Sequence, residues 1–352
     1  MVMANYERIN LRKYLGLATA AALLLSLAAC AADPAENTTT GDSLSGSELT
    51  VYSGRSEEFI GPFFADFEAA TGIKLNVRYG DSAELAAQLL EEDSNSPADI
   101  FIAQDAGSLG AVAESGMLAN LASEILSLVP TEYQADSGAW VGLTGRARVF
   151  AYDTTKNLDL PKTIDDLLDP KWDGKIGIAP TNASFQAFVT ALRQLRGEAA
   201  AEAWLTGLAK NNPVAYEKNS MIVEAINSGE IELGLVNHYY IYEVAEALGG
   251  EINVADGFFA AGDLGNLINV SGAGILNTAK NAAGAAELIK YLLSEESQNR
   301  FVFETNEYSV LPKLATPKGL PSFSEIGTPA VDLDSLKDVR VTQEMLVRVG
   351  LL

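Results

Sequence analysis

IELGLVNHYY, residues 231–240, begins with a short apolar run that follows Ser228-Gly229 and ends in a polar and aromatic cluster. The run Ile231 to Val236 is strand-length, and the preceding segment Met221 to Asn227 has helical spacing. A helix, a glycine turn and a strand in that order form one α/β unit. The two tyrosines, Tyr239 and Tyr240, follow the strand at its carboxyl end, where open α/β sheets present ligands.

Working outward, the same alternation fills most of the chain and points to α/β layers with largely parallel strands. Towards the N-terminus, Leu49 to Tyr52 reads as a strand. It is followed by a helix whose Phe59, Phe63, Phe64 and Phe67 recur at helical spacing and mark a core face. Lys74 to Tyr79, Asp99 to Ala103, Arg148 to Tyr152 and Lys175 to Ala179 are further strands. Ala83 to Glu92, a segment from about Ser108, Ser184 to Leu195 and Ala200 to Leu208 are helices. Beyond the opening stretch, strand Leu267 to Val270 runs into Ser271-Gly272-Ala273-Gly274, a glycine-rich segment suited to a hinge. One long helix is expected from about Ala282 to Phe303.

The first residues carry a different signal. Arg8, Arg12 and Lys13 precede an apolar stretch, Leu15 to Leu27, that is short for a membrane span. It ends in Leu27-Ala28-Ala29-Cys30, which resembles the lipobox of bacterial lipoproteins, with Cys30 as lipid anchor. Residues 1–29 are therefore expected to be a signal peptide, and 30–48 the lipidated cysteine with a flexible, small and polar tether. The remaining 300 or so residues exceed one ordinary core and favour two lobes. Cys30 is the only cysteine, so intrachain disulfides and cysteine-cluster metal sites are excluded. A formal net charge of −23 disfavours nucleic acid as a partner.

Read together, the strand-end segments Val51 to Arg55, Pro97 to Phe101, Gly145 to Val149, Pro180 to Phe185, Glu217 to Ser220 and Val236 to Tyr240 resemble the ferric-ion-binding proteins of iron ABC importers. The resemblance is most specific at Asn237-His238-Tyr239-Tyr240. It implies an α/β, two-lobed periplasmic-binding-protein fold with a hinge of crossover strands near Gly145-Arg146 and Ile268-Val270. One lobe would comprise 49–146 plus 270–318, the other 147–269 plus 319–352. It also implies a monomeric, non-enzymatic carrier, held at the membrane by its lipid anchor, that delivers its cargo to an ABC permease.

Ferric iron is a hard cation that favours anionic oxygen, so the phenols of Tyr239 and Tyr240 suit it once the metal has displaced their protons. The same pair could equally be half-buried aromatics that cap the strand. The resemblance implies that Arg55, Arg146, Asn182, Ala183, Ser184, Asn219 and Asn237 contact a synergistic anion, carbonate or phosphate. The N–H donors of Arg55 and Arg146 and the helix start at Asn182 are chemically apt for this. Each arginine could also serve in an ordinary salt bridge.

Ser56, Gln104 and Phe185 stand where many relatives place histidine, glutamate and a third tyrosine, so a nonprotein anion is expected to complete the shell. Asp105 is a candidate displaced ligand, and His238, the single histidine, is expected in a supporting or solvent-facing position. An alternative cargo is a small oxyanion or organic solute such as a phosphonate. Enzymatic chemistry has little support, since neither a Gly-x-Ser-x-Gly elbow nor a phosphate-binding glycine loop is present.

Overall fold

The computed structural model describes residues 44–352. The expected signal peptide 1–29, Cys30 and most of the 30–48 tether lie outside the described residues. The last tether residues are folded: Gly46 N–H donates to Gly72 C=O at 2.9 Å, and strand β1 (Glu48–Ser53) begins one residue earlier than expected. The half-buried Leu44 packs on the core.

The remaining strands are β2 (Lys74–Tyr79), β3 (Ile100–Ala103), β4 (Val141–Asp153), β5 (Ile176–Ile178), β6 (Val214–Ala215), β7 (Leu233–Asn237), β8 (Val254–Gly257), β9 (Ile268–Ile275) and β10 (Tyr308–Ser309). They pair in the order β2-β1-β3-β9-β4-β7-β5-β6, with β8 and β10 both added to β4. β4 is the pivot. Its first half, through Ala147, pairs with β9 and β10, and from Arg148 onward it pairs with β7 and β8. A single strand therefore belongs to two sheets and passes between them at Ala147-Arg148.

The β1/β2, β1/β3, β5/β6 and β5/β7 pairings are parallel, as the βαβ pattern requires. The expectation of largely parallel strands nevertheless fails at the centre, where every pairing of β4 and β9 is antiparallel. β4 crosses between the sheets and β9 is its partner in the first one, and neither is fed by the helix return that makes neighbours parallel.

Other differences are local. Ser271-Gly272-Ala273-Gly274 lies inside β9 and is no open hinge loop. A Cβ at Gly272 would sit 2.5 Å from Val141 O, so glycine is required there by close strand packing. The expected long helix after β9 is two, Ala282–Leu292 and Glu295–Glu304, because Ser294 ends the first and caps the second through Ser297 N–H.

Helices cover the sheet faces in the usual way. Glu57–Thr71 buries Ile60, Phe63, Phe64 and Phe67, the four on one stripe, with Phe63 stacked on Phe301 at 4.1 Å. The C-terminal tail touches both halves. The turn Leu333–Lys337 lies on helix Ala106–Glu114, where a Cβ at Gly107 would come within 3.0 Å of Leu336 O. Helix Val339–Arg348 packs on Ala183–Arg196, held by Arg193, which donates to Asp338 and Thr342 at 2.9 Å.

Candidate functional site

β7 ends at Asn237, and the next residue already has helical backbone: His238 has φ −53° and ψ −40°. The helix Tyr239–Ala247 thus starts without an extended capping residue, and Tyr239 and Tyr240 occupy its first turn. On a regular helix neighbours diverge by about 100°. At this abrupt turn the two rings instead lie side by side, with centroids 4.4 Å apart and planes 31° apart. Both line a cavity of about 300 Å³ together with Arg146, Asn182, Ala183 and Ser184. Burial raises the Tyr240 phenol well above its usual pKa, and the adjacent Tyr239 adds to the shift.

The anion-side residues divide into those the fold gathers and those it sets apart. Asn182 caps the helix Ala183–Arg196, its Oδ1 accepting from Ser184 N–H at 3.0 Å and Ser184 O–H at 2.6 Å. The buried Asn219 donates to both Asn182 Oδ1 and Ser184 Oγ at 3.2 Å, and its own Oδ1 has no partner among the described residues. Asn237, by contrast, is buried in register opposite Arg148 and does not line the cavity.

Arg55 lines a neighbouring cavity of about 580 Å³, with Ser56, Glu243 and Thr305, and Tyr239 forms a wall of both. Its guanidinium lies 3.7 Å above the Phe59 ring and donates to Glu307 at 3.0 Å. Arg146 Nε lies 3.9 Å from the same carboxylate and makes no hydrogen bond among the described residues. Burial opposes the Arg146 charge, but Tyr239 and Glu307 outweigh it and the pKa rises.

Two groups at the site were not singled out from the sequence. Glu307 is fully buried, accepting from Arg55 and from Thr144 O–H at 2.6 Å. Arg148 is 2% exposed and donates to Ser184 Oγ at 3.0 Å and Leu235 C=O at 2.9 Å. Burial pushes its pKa down to about 9, while the nearby Tyr240 and Tyr239 favour its charged form. Arg148 could have been found, since it stands two residues from Arg146 on a strand and so faces the same side. Glu307 had no such signal, as it meets Arg55 across 252 residues of chain.

Gln104 and Asp105 also line the tyrosine cavity, each with a hydrogen bond of its own, whereas Phe185 does not. Gln104 donates to Gly54 C=O at 2.7 Å, Phe185 is in the core, and Asp105 caps its helix through Ser108 N–H at 2.8 Å. A solvent-facing position for His238 is ruled out, because it is fully buried. Its Nε2 donates to Asn306 C=O at 2.7 Å and its Nδ1 accepts from Ala147 N–H at 3.2 Å, which specifies one neutral tautomer. Burial depresses its pKa to about 4.

Residues 95–330 match the family described as bacterial extracellular solute-binding protein. The chain belongs to that family. Among bacterial extracellular solute-binding proteins it is similar to the Fe(3+)-binding periplasmic protein of Serratia marcescens, 33% identical over 311 residues, which cover 86% of this chain and 90% of the relative. The major ferric iron-binding protein of Neisseria meningitidis is 32% identical, over 86% of this chain and 93% of its own.

Iron-bound HitA from Pseudomonas aeruginosa superposes with a TM-score of 0.81 at 33% identity, covering 86% of this chain and 99% of that one. A Trichodesmium protein in complex with iron and citrate gives 0.76 at 27%, over 87% and 100%. The α/β, two-lobed periplasmic-binding-protein architecture expected from the sequence is the one this chain has.

Proposed function

We propose that the protein is the extracytoplasmic binding component of an ABC importer and captures ferric iron through the phenolates of Tyr239 and Tyr240. The observation that carries this reading is the side-by-side tyrosine pair opening into a cavity shared with Arg146 and a capped helix start. Hard anionic oxygens at one point suit Fe³⁺, and the named activities of the relatives agree.

A small anion, carbonate or phosphate, completes the shell. Three buried guanidinium groups, Arg55, Arg146 and Arg148, surround the site, and Glu307 is the carboxylate salt-bridged to the first two. Asp81, Asp105 and Glu217 also line the cavity, so it is the local cluster of guanidinium donors that favours an anion beside the metal. Arg146, which lines the cavity, and the Asn182–Ser184 helix start are the direct contacts. Arg55 acts through Glu307 and Asn237 through the strand. Both ring nitrogens of His238 are engaged by backbone, so it supplies no general base, in keeping with a carrier that performs no turnover.

The lobes are 49–146 plus 270–318 and 147–269, with β4 passing between them and β9 as its partner in the first. The tail 319–352 belongs with the second lobe through its last helix. Cys30 tethers the chain to the membrane.

The same guanidinium cluster favours a second reading, an oxyanion or phosphonate carrier. Isothermal titration separates the two. Ferric iron binding that depends on bicarbonate or phosphate supports the first, and tight binding of a phosphonate with no affinity for iron overturns it.

A further inference from the structure

His238 stands where the two sheets meet, and four contacts converge on it. Its backbone N–H donates to Ala147 C=O at 3.1 Å, and the Ala147 N–H returns a bond to Nδ1 at 3.2 Å. Ala147 is the last residue of β4 paired with β9 before the strand joins β7. From the other side Nε2 donates to Asn306 C=O at 2.7 Å. The ring then meets Tyr239 edge-on, with centroids 5.7 Å apart and planes at 89°.

The Asn306 carbonyl is placed deliberately by its backbone. Asn306 has φ +56°, a left-handed conformation that asparagine tolerates better than most residues. It turns the chain between helix Glu295–Glu304 and β10. The next residue, Glu307, takes Arg55 and Thr144, with Arg146 close by. Two consecutive residues thus hold the arginines with a side chain and the tyrosine-bearing helix, through His238, with a carbonyl.

We infer that His238 is a positioning residue: its Nε2–H···O=C bond to Asn306 fixes the first turn of the tyrosine helix relative to Arg146 and so sets the geometry in which both phenols meet one cargo ion. The contact sits on the β4 crossover. The inference rests on the proposed tyrosine site but concerns the placement of the rings, which can be read without metal.

Two substitutions divide the imidazole's roles. His238→Gln keeps a donor near the Nε2 position, whereas His238→Asn keeps only a group near Nδ1. The metal-free proteins are compared by near-ultraviolet circular dichroism, where the closely spaced phenols give a coupled tyrosine signal. The iron-loaded proteins are compared by their phenolate-to-iron visible band and by the rate of iron loss to a chelator.

The expected result is a wild-type tyrosine signal, band and release rate in His238→Gln. In His238→Asn the tyrosine signal is lost, the band is shifted and release is up to about tenfold faster, the worth of one hydrogen bond. Wild-type tyrosine signal and release rate in both variants, or equal losses in both, overturn the inference, whatever happens to their melting temperatures. If the wild-type chain binds no iron, the ferric reading fails, and the metal-free signal alone decides for or against the pin.

Discussion

Replacing Glu307 by glutamine keeps shape but removes the carboxylate that holds Arg55 at 3.0 Å and faces Arg146 at 3.9 Å. The Glu307 side chain is 0% exposed and that of Arg55 is 7%, so solvent cannot replace the lost charge. Removing one partner of such a buried pair costs about 3–5 kcal/mol. Glutamine can still accept from Thr144, and the Arg146 contact is long, which favours the low end, about 3 kcal/mol. At roughly 2–4 °C per kcal/mol for a chain of this class, melting should fall by roughly 6–12 °C in anion-free buffer.

The same change frees two guanidinium groups, so added phosphate or bicarbonate should bind more tightly to the variant than to the wild type. An anion at a hundred times its dissociation constant restores about 2.7 kcal/mol, nearly the whole loss. Differential scanning fluorimetry with and without phosphate reads both effects. A variant that melts within about 2 °C of wild type in anion-free buffer, or one that phosphate fails to rescue, refutes the charge balance assigned to Glu307.

Iron affinity should fall with pH. The Tyr240 phenol is held up by burial, so the metal must displace its proton, and two displaced phenol protons give a slope of about two decades per pH unit, measurable by chelator competition across pH 6 to 8. Asp256 has an enclosed Oδ1 without a partner among the described residues, and burial raises its pKa well above its usual value. Folding therefore favours its neutral form, and this lowers stability as pH rises above the unfolded value. Asp256→Asn should melt higher than wild type at pH 8, with the gap closing near about pH 4 in thermal scans. Asn182→Ala removes a helix cap worth about 1 kcal/mol and should lower both the melting temperature and anion affinity measured by calorimetry.

Much of this was legible in the sequence where the signal is local. Alternation of strand and helix fixes the α/β class, Phe63 and Phe67 mark a buried stripe, and Asn182 announces a cap by its type and place. What escaped is what depends on distant chain segments. The antiparallel placing of β4 and β9 goes with the passage of β4 between the sheets, which no residue in either strand encodes. Glu307 acquires its meaning only when β10 lays it against Arg55 and Arg146. His238 looked free to face solvent because the carbonyl that buries it belongs to Asn306, 68 residues away. Asn237 matched an anion-contacting position by order along the chain, yet it is buried on β7 in register with Arg148 and outside the cavity lining.

The ferric assignment is tested most directly by colour. The purified chain, stripped of metal and given a ferric salt with bicarbonate, should develop a visible phenolate-to-iron band as it takes up iron. Tyr239→Phe and Tyr240→Phe should each weaken or shift that band, and the double variant should abolish it with loss of bound iron. A wild-type protein that stays colourless and iron-free, or a double variant that keeps the band, would contradict the assignment.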